Sequence, residues 1–216
     1  MPAMPSLPGL DLLIKTCRHH GLPLELSPPL PTAPKAGELL LAQPLDPMLA
    51  ALYQRTADAS LGPFSVFRLD AEPHGFIQEN EYFKRDGEEP FRSTHLFAKE
   101  TGFSYYFGTV PELADSTGLQ PIVYIAYYPA EVYGIPIASN LDRFFALYSR
   151  YLERMAVDPE YLETGTPEIT FPWEMAQQVA EDSPLVALMR AGRFTHLLND
   201  YHGARKWVTN VLSTLM

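Results

Sequence analysis

The sequence predicts a mixed fold in which a run of short strands is flanked by helices on both sides. Strand-like segments separated by turn residues fill the middle of the chain, from residue 64 to residue 138, whereas helical hydrophobic spacing marks both flanks. Ten of the 21 prolines fall within the first 47 of the 216 residues, which sets the beginning of the chain apart. At roughly 150 residues per domain, this length suits one domain with appendages. We divide the chain into residues 1–44, 45–155 and 156–216.

The first segment, residues 1–44, is predicted to hold one helix and a proline-rich strap. Apolar residues recur at helical spacing from Leu10 to His20, and Gly21 is placed to end that helix. The prolines that follow exclude a helix or a central strand from residue 22 to residue 44. Leucines within this strap should anchor it on the domain, because a free linker would carry fewer of them. These leucines are Leu22, Leu24, Leu26, Leu30 and Leu39.

The second segment, residues 45–155, is predicted to form the core. Asp46 is a suitable N-cap for a helix that starts at Pro47 and ends before Gly62. Strand-like stretches follow at Phe64–Leu69, Thr94–Ala98, Tyr105–Val110, Ile122–Tyr128 and Ile135–Ala138. The fourth of these is apolar at both parities, so we expect a central strand that is covered on both faces.

A long amphipathic helix is predicted next, and further helices complete the chain. Ser139 and Asp142 resemble a capping box, and an apolar stripe runs from Leu141 to Met155. We expect this stripe to pack on the sheet rather than to serve as a groove for a partner. In the helical extension, residues 156–216, Ser183 is expected to be an N-cap and Gly192 a C-cap.

Charge and cysteine content exclude several classes of protein. Sixteen Lys and Arg against 26 Asp and Glu give a formal charge of −10, and the pI is near 5.0. Binding to nucleic acid or to an anionic membrane is therefore disfavoured, and a basic protein partner is favoured. The sequence shows no signal peptide and no apolar run long enough for a membrane span, and its single thiol, Cys17, suits a reducing compartment. We expect a soluble cytoplasmic protein.

Signatures of catalysis and of cofactor or metal binding are missing from the sequence. It contains no G-x-S-x-G, G-x-G-x-x-G, Walker A or H-E-x-x-H motif. Cys17 and His19 diverge on a helix, and the adjacent His19 and His20 are poorly placed to chelate a metal. We therefore expect no cofactor, no metal and no enzymatic activity. A hydrolase that uses two carboxylates stays open as an alternative, since the sequence cannot show whether two acids face each other.

Acidic residues cluster in two stretches, and the first is rich in aromatic residues. Residues 70–131 hold eleven acids and four bases, and residues 153–182 hold eight acids and one base, so each stretch has a formal charge of −7. Tyrosines beside exposed acids are typical of a protein-binding face. Acids near turn signals and tyrosines beside turns should be exposed. The predicted partner-binding residues are Glu72, Glu79, Glu81, Tyr82, Glu88, Glu89 and Tyr133.

Two segments of the core resemble the SUKH superfamily, the fold of bacterial toxin-immunity proteins and of the fungal cell-wall-assembly regulator. Pro121-Ile122-Val123 is similar to the late strand of that family, and Ile137-Ala138-Ser139 followed by Phe144-Phe145 is similar to the segment that enters its penultimate helix. The resemblance covers residues 45–155. It implies an α+β fold with a twisted, mainly antiparallel sheet and helices packed on one side, to which this chain adds a proline-rich N-terminal arm and a helical C-terminal tail.

The resemblance also implies binding rather than catalysis. The expected function is that of an immunity protein that neutralises a bacterial toxin by stoichiometric binding, with a basic toxin domain, a nuclease or similar, as the partner. The alternative is a regulatory or scaffolding adaptor of the same fold that binds a cellular protein. In either case we expect a monomer or a weak homodimer.

Overall fold

The computed structural model describes residues 5–70, 73–85, 89–128, 131–199 and 202–214. Helices account for 43% of the structure and strands for 19%, which confirms the predicted α+β class. Within the described ranges, no helix has both the length and the apolar character needed to cross a bilayer.

The main sheet has seven strands in the described residues, in the order β1-β4-β5-β6-β7-β8-β9, and each neighbouring pair is antiparallel. β2 and β3 form a separate two-stranded hairpin. Residues 122–126 of β8 are buried, as expected for a strand covered on both faces. The strands are β1 Leu24–Leu26, β2 Leu39–Leu40, β3 Gln43–Pro44, β4 Ala59–Leu61, β5 Phe64–Val66, β6 His95–Glu100, β7 Tyr105–Thr109, β8 Ile122–Tyr128 and β9 Glu131–Ala138.

Helices precede, interrupt and follow the sheet. α1 in the first segment and α4 after the last strand lie where the spacing of apolar residues predicts them. α2 begins at the predicted Pro47, but the expectation that it runs up to Gly62 is wrong, because it ends at Tyr53 and β4 occupies residues 59–61. α3 is absent from the sequence-based prediction. The α-helices are α1 Pro8–His20, α2 Pro47–Tyr53, α3 Phe76–Arg85, α4 Leu141–Met155, α5 Pro159–Thr164, α6 Ala176–Ala180, α7 Ser183–Arg190, α8 Thr195–Leu198 and α9 His202–Ser213.

The strap of residues 22–44 is only partly anchored. Its beginning forms β1, an edge strand paired with β4, where prolines in the flanking chain are tolerated. Leu22 is buried, and Leu24 and Leu30 are half-buried. Leu26 and Leu39 are 41% and 68% exposed, so the expectation that all five leucines serve as anchors is wrong. Instead of one extended strap, residues 39–44 form the β2–β3 hairpin.

α4 covers one face of the sheet, as predicted from its apolar stripe. Phe64 of β5 is fully buried, and its ring centroid lies 5.4 Å from that of Phe144 and 5.4 Å from that of Tyr148. α1 packs against α4 at a close crossing, where the Gly9 N–H donates to Asp142 Oδ1 at 2.7 Å. A Cβ at Gly9 would lie 2.1 Å from the Asp142 carbonyl oxygen, so this crossing requires glycine.

Two predicted helix caps are corrected by this packing. Asn140, and not Ser139, caps α4, since Asn140 Oδ1 accepts from the Arg143 N–H at 3.0 Å. The Asp142 carboxylate of the supposed capping box accepts from α1 instead. Asp182, and not Ser183, caps α7, and its second oxygen accepts from the Ser139 N–H at 2.7 Å. The caps themselves are local bonds, but Asp142 and Asp182 each also accept from a segment far away in the sequence.

α3 covers part of the opposite face of the sheet. Phe83 contacts Tyr106 and Tyr127 there, with ring centroids 4.8 Å and 5.5 Å away. Asn80 is buried on the same side of α3, and its side chain donates to the Leu96 carbonyl and accepts from the Leu96 N–H, both at 2.8 Å. A polar residue at the centre of the buried stripe hides the helical pattern, which is why sequence periodicity does not find α3.

Candidate functional site

The acids predicted to bind a partner have different environments in the structure. Glu81 is exposed on α3, as expected. Glu79 is mostly covered, with 12% of its side chain exposed, and its Oε1 lies 2.9 Å from His74 Nδ1. Glu72 and Glu88 lie outside the described residues.

Glu89 is also partly covered by its own neighbours. Its side chain is 34% exposed, its Oε2 accepts from Ser93 Oγ at 2.7 Å, and its Oε1 lies 3.8 Å from Arg92 Nε. Glu79 and Glu89 are thus both paired and partly covered. Of the predicted acids among the described residues, Glu81 is the exposed one. The expectation of a uniformly exposed row of acids is therefore wrong at Glu79 and at Glu89.

The two predicted tyrosines also differ strongly in exposure. Tyr82 is 53% exposed on α3, and the Arg85 guanidinium lies 5.6 Å from the centroid of its ring. Tyr133 is 5% exposed, and its ring centroid is 6.4 Å from that of Trp173. The expectation that Tyr133 is exposed beside a turn is wrong, because β9 begins at Glu131 and places Tyr133 inside the strand.

Exposed aromatic side chains gather at one end of the sheet, which we call the aromatic edge. Its members are Tyr82, Phe103, Tyr127 and Tyr128, with exposed fractions of 53%, 57%, 37% and 43%. Among the described residues, the other large apolar side chains that are exposed are all aliphatic. Three members of the aromatic edge lie at the β6–β7 turn or at the end of β8, where the Tyr127 N–H donates to the Ser104 carbonyl at 2.9 Å.

The aromatic edge is held by packing on both faces of the sheet. On the α3 face, Phe83 contacts Tyr82 and Tyr127 at centroid distances of 5.1 Å and 5.5 Å. On the α4 face, Phe103 stacks on Tyr105 at 5.5 Å, and the Tyr105 and Tyr128 hydroxyls are hydrogen-bonded to each other. Sequence reasoning named the aromatic-rich stretch but missed Phe103, Tyr127 and Tyr128 as exposed members. The signal was available for Phe103, which follows the turn residues Thr101 and Gly102.

A cavity of about 480 Å³ opens beside the aromatic edge on the α4 face. All three segments of the chain contribute to its wall. Glu25 comes from β1, Glu100 and Phe103 from the β6–β7 region, Tyr151 from α4, and Tyr161 from α5. No pattern in the sequence indicates this cavity, because its residues meet only after folding.

Glu100 is the unusual residue of this cavity. It is 8% exposed, and in the described part of the chain its carboxyl has no hydrogen-bond donor or cation within contact distance. The Tyr148 hydroxyl, on the same side of the sheet, is buried and has no hydrogen-bond partner among the residues that the structure describes. Burial raises the pKa of Glu100 from 4.5 to about 7, since nothing nearby stabilises the charged form.

Replacing Glu100 with glutamine is expected to stabilise the protein at alkaline pH. Between pH 4.5 and 7 the unfolded chain releases this proton while the folded chain retains it, so the stability of the wild type falls as pH rises through this window. At pH 8 the Glu100→Gln variant should be more stable by up to roughly 3 kcal/mol, and at pH 4.5 the two proteins should be alike.

Urea unfolding across this pH range measures the difference between the two proteins, and other titrating groups cancel in it. Glu81→Gln, at an exposed position, is the matched control and should follow the wild type at every pH. A constant difference between the Glu100→Gln variant and the wild type would contradict a raised pKa of this carboxyl.

Other candidate chemistry is not supported by the geometry. Cys17 is fully buried, and burial raises its pKa to about 11, which disfavours the thiolate that a nucleophile requires. Among the described residues, no group of three His, Cys, Asp or Glu side chains is arranged to hold a metal ion. At the cavity, Glu100 is buried but Glu25 is exposed, so the pair of buried acids sought for a carboxylate mechanism is not found there.

Comparison of the chain with protein-family models, with curated proteins and with solved structures gives no match. The similarity to the SUKH superfamily therefore stays a prediction.

Proposed function

We propose that this protein binds a basic protein partner through the aromatic edge, and that it acts as an immunity protein that blocks a toxin domain. The observation that carries the proposal is the gathering of Tyr82, Phe103, Tyr127 and Tyr128 at one end of the sheet, each more than a third exposed. Aromatic side chains are enriched among the residues that contribute most to protein–protein affinity, and exposed apolar patches mark interaction surfaces.

Charge favours a basic partner. The chain carries a formal charge of −10, and the exposed Glu81 lies next to Tyr82 on α3. Exposed acids on and after α5, including Glu160, Glu163 and Glu168, flank the cavity on the other side of the sheet. Such a field attracts a basic protein and repels nucleic acid and anionic lipid.

The SUKH-like segments suit an immunity protein and equally an adaptor of the same fold, and a reducing cytoplasm suits the single buried thiol of Cys17 in either role. A neighbouring gene for a large secreted protein with a variable C-terminal domain would favour immunity. An adaptor would instead bind a cellular protein with no toxic activity, and neutralisation of a toxin distinguishes the two roles.

The double replacement Tyr82→Ala and Tyr127→Ala is expected to weaken partner binding by about tenfold or more, mainly through faster dissociation. The partner is isolated from the native cell on the immobilised full chain, then purified and measured by surface plasmon resonance. As a matched control, Leu39→Ala removes a 68% exposed apolar side chain from β2, away from the aromatic edge, and should leave binding unchanged.

A charge-reversal variant distinguishes long-range electrostatic attraction, which changes the association rate, from the direct contacts that set the dissociation rate. Glu81→Lys should slow association, with an effect that diminishes as salt shortens the Debye length below about 10 Å. In the toxin assay, wild type should neutralise the partner's activity at a one-to-one ratio, whereas the double tyrosine variant should require an excess. Unchanged affinity and unchanged neutralisation by a folded double variant would overturn the proposal.

A further inference from the structure

We infer that the cavity beside the aromatic edge receives a lysine or arginine side chain of the protein partner, with the Glu100 carboxylate as its anchor. The volume of about 480 Å³ lies within the range of roughly 300–1,000 Å³ that is typical of small-ligand sites. This inference rests on the proposed function for the existence of a partner, but the chemistry of the cavity is argued independently.

The charge of the cavity selects a cation. Glu25 and Glu100 are its acids, and Lys, Arg and His are absent from the described residues that line it. The nearby Arg154 is directed elsewhere, since its Nη1 donates to the Glu174 carbonyl at 3.0 Å. An anionic ligand would therefore meet two carboxyls with no compensating charge, whereas a cation would meet a complementary site.

The environment of the Glu100 carboxyl is the observation that points to a ligand. More than nine-tenths of this residue is buried, it lines the cavity, and its carboxyl lacks a hydrogen-bond donor in the described structure. A buried carboxyl that lines a cavity without a donor from the described protein is free to accept hydrogen bonds from a ligand in that cavity. An ammonium or guanidinium group would provide that donor and would form a charge-assisted hydrogen bond.

The remaining wall suits the rest of a long basic side chain. Phe103, Tyr151 and Tyr161 present aromatic rings that attract a cation, and Met155 and Pro167 offer apolar surface for a methylene stem. This part of the wall offers a metal ion only phenols and the hydroxyls of Ser60, Thr101 and Thr166, which are weaker ligands than carboxylates. An organic cation on an aliphatic stem fits both parts of the cavity.

The position of the cavity connects it to the partner surface. Phe103 belongs both to the aromatic edge and to the cavity wall, so a protein docked on that edge would have the cavity opening within its footprint. The cavity lies on the α4 face, whereas Tyr82 and Phe83 lie on the α3 face, where Lys99 lines a separate cleft with them. Variants on the two faces can therefore be tested separately.

The test uses blocked amino acids that present a side chain without free termini. N-acetyl-lysine methylamide and N-acetyl-arginine methylamide are titrated into the full-length protein, and amide chemical shifts of Thr101 and Phe103 are followed by NMR. We expect saturable binding in the millimolar range. The neutral analogue N-acetyl-norleucine methylamide should bind at least tenfold more weakly, because it lacks the charge that Glu100 pairs with.

Glu100→Gln removes the charge and nearly preserves the shape of the side chain, and should weaken binding of the basic probes by about tenfold or more. Tyr161→Ala, a half-buried position on α5, provides a second variant that reduces cation attraction without altering the sheet. Glu112→Gln, an exposed acid that follows β7 at the end of the strand far from Phe103, is the matched control and should bind like the wild type.

The outcomes separate this inference from the proposed function. Absence of shifts at Thr101 and Phe103 up to tens of millimolar probe, or equal binding by wild type and Glu100→Gln, would overturn the cavity assignment even if the tyrosine variants impair partner binding. Tighter binding of a free polyamine such as spermidine than of either blocked amino acid would overturn the assignment to a protein side chain. Loss of basic-probe binding in Glu100→Gln, together with weaker partner binding by that variant, would support it.

Discussion

Replacing Asn80 with alanine is expected to lower the free energy of unfolding by about 3–4 kcal/mol, a large effect for a single polar residue. The Asn80 side chain donates to the carbonyls of Phe76 and Leu96 and accepts from the Leu96 N–H, each at 2.8 Å. Leu96 lies in β6 beyond the last residue that pairs with β5, so Asn80 takes the place of a neighbouring strand. Its removal leaves buried backbone groups without partners, at about 1–3 kcal/mol for each such group.

Thermal unfolding measures the effect of Asn80→Ala, and for a chain of this size each kcal/mol corresponds to roughly 2–4 °C in Tm. Glu81→Ala, at the adjacent exposed position on α3, is the control and should stay within about 0.5 kcal/mol of the wild type. Hydrogen exchange should show faster exchange at Leu96 and along α3. A loss of less than 1 kcal/mol would show that Asn80 is dispensable for attaching the helix that carries Tyr82.

Replacing Asp46 with alanine is expected to cost about 3 kcal/mol. Asp46 is fully buried, and its Oδ1 accepts from the N–H groups of Met48 and Leu49 at 2.8 Å and 2.9 Å. Its Oδ2 accepts from the Gln120 N–H at 2.7 Å, which ties the start of α2 to the segment that enters β8. Burial raises the pKa of Asp46 to about 6, although these three N–H groups favour the carboxylate. Alanine removes both the cap and the long-range bond.

Asp46→Asn separates these two roles and serves as the matched variant. Asparagine can cap α2 through its side-chain oxygen, but it would place an NH₂ group against the Gln120 N–H. We expect urea unfolding at pH 7.5 to rank the wild type above Asn and Asn above Ala, with the Asn variant losing about 1–2 kcal/mol. Equal stability of the Asn and Ala variants would contradict a separate contribution of the cap.

These two predictions bear on function because Asn80 and Asp46 position different parts of the candidate surface. Asn80 attaches α3, and with it Tyr82, to the sheet. Asp46 fixes the approach to β8, whose far end carries Tyr127 and Tyr128. Partner binding by either variant should therefore be compared only at temperatures where the variant is fully folded.

Local patterns in the sequence were sufficient for the elements whose stabilisation is local. The apolar stripe of α4, the N-cap at Asp46 and the C-cap at Gly21 depend on residues within a few positions of each other, and all three are present in the structure. The span predicted for β8, Ile122–Tyr128, is also that of the structure, because its continuous apolar run distinguishes a strand covered on both faces.

Partners far apart in sequence account for the elements and surfaces that were missed. α3 was hidden because Asn80, a polar residue, occupies the centre of its buried stripe and bonds to Leu96. The spacing of Ser139 and Asp142 predicts a capping box, yet the Asp142 carboxylate accepts from the Gly9 N–H, 133 positions away. The same reason applies to Tyr133, whose ring lies against that of the distant Trp173, whereas Glu79 is covered by a local contact with His74, five positions away.

By itself, the sequence determined the acidic charge, the α+β class and the aromatic-rich stretch from which a partner surface is built, because these depend on composition and on short-range periodicity. Only the tertiary structure decided which tyrosines reach solvent and that Glu100 lines a cavity. That cavity is formed by β1, the β6–β7 turn, α4 and α5, which come from all three segments of the chain. Burial of a carboxyl depends on residues that approach it through folding, and no local pattern in the chain encodes their approach.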